Sequence, residues 1–266
     1  MKAVFSHIMN TKNFGDLNCG PKRYFSEFDD SPEVDLSELK NYDESIPVIL
    51  GGGGIFMSHT DDWIKKISEE RPTIIWGAGL NYPKNVITPN LDDKLKNCKL
   101  VGLRDKEYVS RHGWDWVPCA SCMDPAFDKY RDTKPEHKVV VYRHMWYEKF
   151  FTNLPTINND ATEFPDKNMD SVIKFLSSGD VVITNSFHGA YWTLLLGRVP
   201  IVIYPPGMRM ISPLPPILNL TDEPSVQFVI DNFYEKYRYP NYLLECRYQT
   251  QQFYGKVKQL LGRDNT

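Results

Sequence analysis

One pattern constrains this chain more than any other: short, almost purely apolar runs alternate with glycine-rich or polar turns and then with helical segments. AVFS (3–6) opens into the long loop HIMNTKNFGDLNCGP and then KRYFSEF, which reads as a helix. PVIL (47–50) opens into GGGG (51–54) and a helix around DDWIKKISEE. TIIW (73–76) leads to GAG, and KLVGL (99–103) leads to Arg104 and Asp105 ahead of the helix KEYVSRHG, where Gly113 suits a helix C-terminus. Strands that are apolar on both faces and alternate with helices predict parallel sheets covered on both sides, an α/β class of fold.

The pattern resumes after an interruption. DKYRDTKPEHK (128–138) is charged, carries a proline and reads as a linker. VVVY (139–142) is a new strand ending at Arg143 and His144, and the stretch 150–165 is polar and reads as irregular. Met169, Val172, Ile173 and Leu176 keep the spacing of an amphipathic helix ending at Gly179. VVIT (181–184) then runs into NSFHG (185–189), an apolar helix and a further strand, IVIY; the stretch 226–261 is helical and aromatic-rich. With 266 residues, 41% of them hydrophobic, two modest domains can each bury a core. The expected architecture is two α/β domains, 1–130 and 134–266, facing each other across a cleft. Ligands of such sheets bind beyond the carboxyl ends of the strands, where NFGD, GGGG, GAG, Arg104-Asp105 and NSFHG all fall.

Several classes are disfavoured. A net charge of -3 with no basic run argues against nucleic acid. The start MKAVFSHIMN lacks a secretory apolar run, so a cytoplasmic location is expected. The most apolar stretch, 181–204, contains His188, Arg198, glycine and proline, which speaks against a membrane span of about 20 apolar residues. The five cysteines are an odd number, as for reduced thiols. Cys119 and Cys122 form a lone CxxC without a second ligand pair, so structural thiols are expected ahead of redox use, and no metal site.

Chemistry-bearing side chains recur at the strand ends. The backbone of Gly52, Gly53 and Gly54 either cradles an anion or forms a turn that lets another segment pack closely. In the first loop, with Asn13, Asp16 can orient or deprotonate a sugar hydroxyl, or cap a helix. Arg104 offers a guanidinium to a carboxylate or phosphate, beside Asp105 at the N-cap of the following helix. His188 is either a proton donor or a packed core histidine. Arg209, in YPPGMRM, overhangs the same edge or is a solvated surface residue. Trp146 and Tyr147 could stack on a sugar ring, whereas Trp192 reads as core.

In order, NFGD, ILGGGG, GAG, LRD, the cysteine turn ending in DPAF, and VVITNSFHGAYWTLLLGRVPIVIY resemble the polysaccharide pyruvyl transferase family, from residue 3 to about 210. The resemblance implies a GT-B-like pair of Rossmann-like domains. It implies transfer of the enolpyruvyl group of phosphoenolpyruvate onto sugar hydroxyls as a ketal, in exopolysaccharide, capsule or related polysaccharide biosynthesis. Phosphoenolpyruvate would be a co-substrate, with no bound cofactor. Arg104, His188 and Arg209 match residues thought to hold it, with His188 as general acid and Asp16 as base; Asn13 and Gly52 to Gly54 would face the acceptor. The chain departs from the family at Ser186, where many members carry Arg; Ser186 itself, Arg143, Arg209 and the Gly189 amide would complete the anion site. A lipid-linked glycan acceptor would bring the protein to the inner face of the membrane. A GT-B glycosyltransferase using a nucleotide sugar and a non-catalytic sugar- or anion-binding protein are the rival readings, the second motivated by Ser186.

Overall fold

The computed structural model describes residues 3–57, 61–81, 90–144, 154–163, 168–203, 218–220, 223–232 and 234–263. The chain divides into two compact units. The first comprises 1–11, 16–123 and 246–266; the second comprises 12–15 and 124–245. The second unit is therefore not contiguous to the C-terminus, because the last helix, Tyr242–Arg263, belongs to the first unit from Cys246 onward.

In the first unit, β1 (Val4–His7), β2 (Glu33–Asp35), β3 (Val48–Gly51), β4 (Thr73–Ala78), β5 (Leu100–Leu103) and β6 (Asp115–Trp116) form one parallel sheet in the order β2-β1-β3-β4-β5-β6. Neighbouring residues on each strand serve opposite cores, which is why the runs are continuously apolar. Val4, Leu50 and Ile75 pack with Ile64 and Ile67 of the helix Asp61–Glu70. Phe5, Ile49 and Trp76 pack with Phe25, Phe28, Phe253, Tyr254 and Val257. The Phe253 ring lies edge-on to Trp76 with centroids 5.6 Å apart, and Phe25 stacks on Tyr254 at 4.3 Å.

The second unit repeats the plan. β7 (His137–Arg143), β8 (Thr156–Asn158), β9 (Gly179–Thr184), β10 (Val199–Ile203) and β11 (Leu218–Leu220) are all parallel, in the order β11-β10-β9-β7-β8. Val141, Ile183, Ile201 and Ile203 face one core with Ile230. On the amphipathic helix Met169–Ser178, the side chains Met169, Val172, Ile173 and Leu176 are buried as their spacing predicts. Counted within each unit, both sheets begin 2-1-3-4-5, one of the two common orders of open parallel α/β sheets, the other being 3-2-1-4-5-6.

Three expectations needed revision. KRYFSEF is not an α-helix but two short 3-10 turns, Pro21–Tyr24 and Ser26–Phe28, interrupted by extended Phe25. The short strands β2, β6, β8 and β11 have no counterpart in the sequence reading, and β8 falls within the stretch 150–165 that reads as irregular. The charged stretch 128–138 is partly structured: the helix Ala126–Tyr130 reaches into it, and β7 starts at His137. Among the described residues, no helix is long and apolar enough to cross a membrane.

Replacing Phe253 by Ala removes a fully buried ring from the first unit's core. It should cost about 3–5 kcal/mol. Urea denaturation reads this, and a loss below about 1 kcal/mol would show that the last helix contributes little to that core.

Candidate active site

In each sheet the strand order reverses between strand 1 and strand 3, and crevices open there because the flanking connections leave in opposite directions. In the first unit this point lies between β1 and β3, paired through Ser6 and Leu50. In the second it lies between β7 and β9, paired through Tyr142 and Thr184. NFGD follows β1, the glycine run follows β3 and NSFHG follows β9, whereas GAG overlaps the end of β4 and Arg104-Asp105 follow β5.

At the first unit's edge, the loop after β1 is tied down by Asp35, whose Oδ2 accepts from the Met9 and Asn10 amides at 2.8 Å each. Gly52 has φ +82°, a backbone state that side-chain-bearing residues rarely adopt, and a Cβ there would lie 2.3 Å from the Cys19 carbonyl oxygen. At Gly52 the glycine run therefore serves close packing, the second of its two readings. A Cβ at Gly53 would lie 3.4 Å from Asp16 Oδ1, and one at Gly54 would lie 3.5 Å from Arg104 Nη2. Gly79 makes room for Arg104 more stringently, since a Cβ would fall 1.9 Å from its Nε. Arg104 is buried, and Asp105, at the N-cap position, accepts instead from the Leu80 amide at 3.1 Å. Burial raises the Asp16 carboxyl to about 6, against the pull of the Arg104 cation. The Asp16 carboxyl thus changes charge near neutral pH, within the field of the buried Arg104 guanidinium.

The second unit's edge gathers around His188. The helix Phe187–Leu195 starts after β9, with Ser186 as its N-cap, and the Gly189 amide donates to Ser186 Oγ at 3.4 Å. The Gly189 amide, expected to meet an anion, is thus directed at the cap. His188 is 3% exposed, with its ring 5.1 Å from those of Phe187 and Trp192. Gly15 lies against it so closely that a Cβ would sit 2.1 Å from His188 Nδ1. Asn13 and Gly15 belong to this unit, whereas Asp16 opens the return to the first. Asn13 Oδ1 accepts from the Gly15 amide at 3.0 Å and from Asn159 Nδ2 at 3.1 Å, and its Nδ2 lies 3.5 Å from His144 Nε2. Burial lowers the His144 pKa, favouring neutral imidazole. His144 follows β7, and its amide donates to Asn185 Oδ1 at 2.7 Å. Arg143 is half-buried, with Nε donating to Asn158 Oδ1 at 2.6 Å.

His144, Asn159 and Asn185 were absent from the predicted site. The available signal for His144 and Asn185 was their place immediately after the apolar strands. Arg209, Trp146 and Tyr147 lie outside the described residues. Trp192 is fully buried core.

The five cysteines are free thiols. Cys119 Sγ lies 3.2 Å from Ser121 Oγ, and Cys122 Sγ lies 3.4 Å from Thr250 Oγ1. Burial pushes the Cys119 thiol pKa up, which keeps it protonated and a poor nucleophile. Among the described residues, no three or more His, Cys, Asp or Glu side chains gather as a metal-ligand set.

The fold and these edges define an α/β protein with chemistry-bearing loops at the carboxyl ends of two parallel sheets. Its sequence matches the model of the polysaccharide pyruvyl transferase family over residues 12–206, and the chain belongs to that family. No curated protein matches it. Among solved structures, a functionally uncharacterised protein from Klebsiella pneumoniae is similar, at 19% identity and a TM-score of 0.48, covering 77% of this chain and 84% of that one.

The Asp16 carboxyl should titrate near pH 6, and Arg104→Ala should move its midpoint higher, because the cation that favours the carboxylate is gone. Carboxyl-carbon NMR reads both; a midpoint near 4 in the parent chain would contradict the site. The linkage has a definite sign. The folded carboxyl holds its proton more tightly than the unfolded one, so Asp16 lowers stability as pH rises from about 4 through 6, and Asp16→Asn removes that loss.

Proposed function

We propose that the chain transfers the pyruvyl group of phosphoenolpyruvate to two hydroxyls of a sugar, forming a cyclic ketal and releasing phosphate. Family membership supports the pyruvyl transferase class. The observation that carries the finer reading is the buried His188 at the β9 exit, set by Gly15 and packed on Trp192. On this reading the second unit takes the donor and the first takes the acceptor.

The chemistry needs one proton delivered to carbon and two removed from oxygen. His188 as general acid protonates the methylene carbon of phosphoenolpyruvate, making a methyl group and an oxocarbenium-like centre at C2. A sugar hydroxyl adds there, and Asp16, ionised above pH about 6, accepts its proton. Phosphate departs with the C2–O electron pair, and a second hydroxyl closes the ketal, its proton leaving on the released phosphate. Arg143 and Arg209 supply positive charge to the carboxylate and phosphate; Arg104, given the same role by the family resemblance, belongs to the first unit. With Ser186 engaged as a helix cap, cationic binding falls to Arg143 and Arg209. Asn13 and Gly52 to Gly54 were assigned to the acceptor; their packing roles leave Gly53 and Gly54, beside Asp16 and Arg104, as the part of that set best placed for it. The acceptor is a glycan or lipid-linked glycan precursor, handled in the cytoplasm or at the inner face of the membrane.

The test is incubation of the purified chain with phosphoenolpyruvate and a panel of sugar acceptors. Mass spectrometry reads the gain of a pyruvyl ketal, and a colorimetric assay reads phosphate. The parent chain should form both products, and His188→Ala should be slower by about 10²–10⁴. An unchanged rate in that variant would remove His188 from the acid role. A shift of the melting temperature by nucleotide sugars but not by phosphoenolpyruvate would favour glycosyl transfer instead.

A further inference from the structure

At the carboxyl edge of the second sheet, one apolar face ends in polar groups. Val141, Ile183 and Ile203 line a small pocket of about 10 Å³, with Arg143 and Asn185 also in its lining. By strand alternation Val141 and Arg143, and Ile183 and Asn185, share that face. The pocket sits where β7 and β9 separate, the crevice position of such a sheet.

Asn185 stands out there. It is 6% exposed. Its Oδ1 accepts the His144 amide at 2.7 Å, which fixes the orientation of the carboxamide, because the opposite flip would set donor against donor. The Nδ2 group must then point away from that amide, and it is buried with no hydrogen-bond partner among the described residues. An unpaired buried donor is costly and uncommon in a folded chain. Packing does not require an amide at this position, since a residue that only closed the β7–β9 edge needs just the acceptor.

We propose that Asn185 is a ligand-recognition residue: its Nδ2 donates to an anionic oxygen of phosphoenolpyruvate bound over the β7–β9 edge beside Arg143. This rests on the donor assignment given above. A neutral donor held rigid by the backbone recognises an acceptor oxygen without adding charge, and a ligand lacking that oxygen leaves the amide unpaired and is rejected.

The deciding variant is Asn185→Asp, which keeps an oxygen for the His144 amide but replaces the donor with a negative charge. Isothermal titration of the full chain with phosphoenolpyruvate should show Kd rising by on the order of 10–100-fold. In the transfer assay, KM should rise by a similar factor while kcat changes less. Parallel titrations with inorganic phosphate and with pyruvate tell which anionic group meets the amide: the probe whose binding weakens carries it. Unchanged Kd for all three probes overturns the proposal. Absence of phosphoenolpyruvate binding by the parent chain itself overturns the donor assignment, and this inference with it, and that arm is read without any variant. Circular dichroism checks folding; should Asn185→Asp not fold, Asn185→Ser undergoes the same titrations with the same criteria.

Discussion

The lateral pairing of strand 1 with strand 3, β1 on β3 and β7 on β9, is the constraint on which everything else rests. Each pair is made of strands whose next connections run toward opposite edges of the sheet, so the loops that follow diverge and leave a crevice. The strands can pair this way because both faces of each are apolar and covered. Where the apolar ladder ends, polar groups begin: Gly52 to Gly54 after β3, Arg143 and His144 after β7, and Asn185, Ser186 and His188 after β9. In the second unit, the 2.7 Å bond from the His144 amide to Asn185 Oδ1 ties the two diverging loops at their root.

Much of this was legible in the sequence, because burial on both faces leaves a continuous apolar run that periodicity cannot hide. The central strands β1, β3, β4, β5, β7, β9 and β10 are of that kind. The four missed strands, β2, β6, β8 and β11, are EVD, DW, TIN and LNL, only two or three residues each. Among them β2 and β8 hold position 2 in their sheets, and strands this short leave no apolar run to read. The failed helix KRYFSEF has a similar cause. Its aromatic residues Phe25 and Phe28 satisfy tertiary contacts with Trp76 and Tyr254, and that packing overrides local helix preference.

The site was legible in part. Asp16, Arg104 and His188 follow strands as read, but their surroundings came from elsewhere in the chain. Gly15 fits His188, Gly79 fits Arg104, and Asn159 orients Asn13. No spacing rule announces such partners, because each contact joins segments far apart in sequence. Ser186 shows the reverse case. A serine in the place of a common arginine reads as lost charge, whereas in three dimensions it is a helix cap that also engages the Gly189 amide. On the proposed function, positive charge for the donor comes from Arg143 and Arg209, and a neutral donor from Asn185.

On the proposed function, phosphoenolpyruvate binds at the β7–β9 edge of the second unit. Hydrogen-exchange mass spectrometry of the full chain, with and without saturating phosphoenolpyruvate, tests it most directly. Slowed exchange concentrated in peptides covering residues 141–144 and 184–189 is the result the account predicts. Slowed exchange confined to other segments, such as the amino-terminal ends of β4 and β5 around residues 71–73 and 98–100, would contradict it.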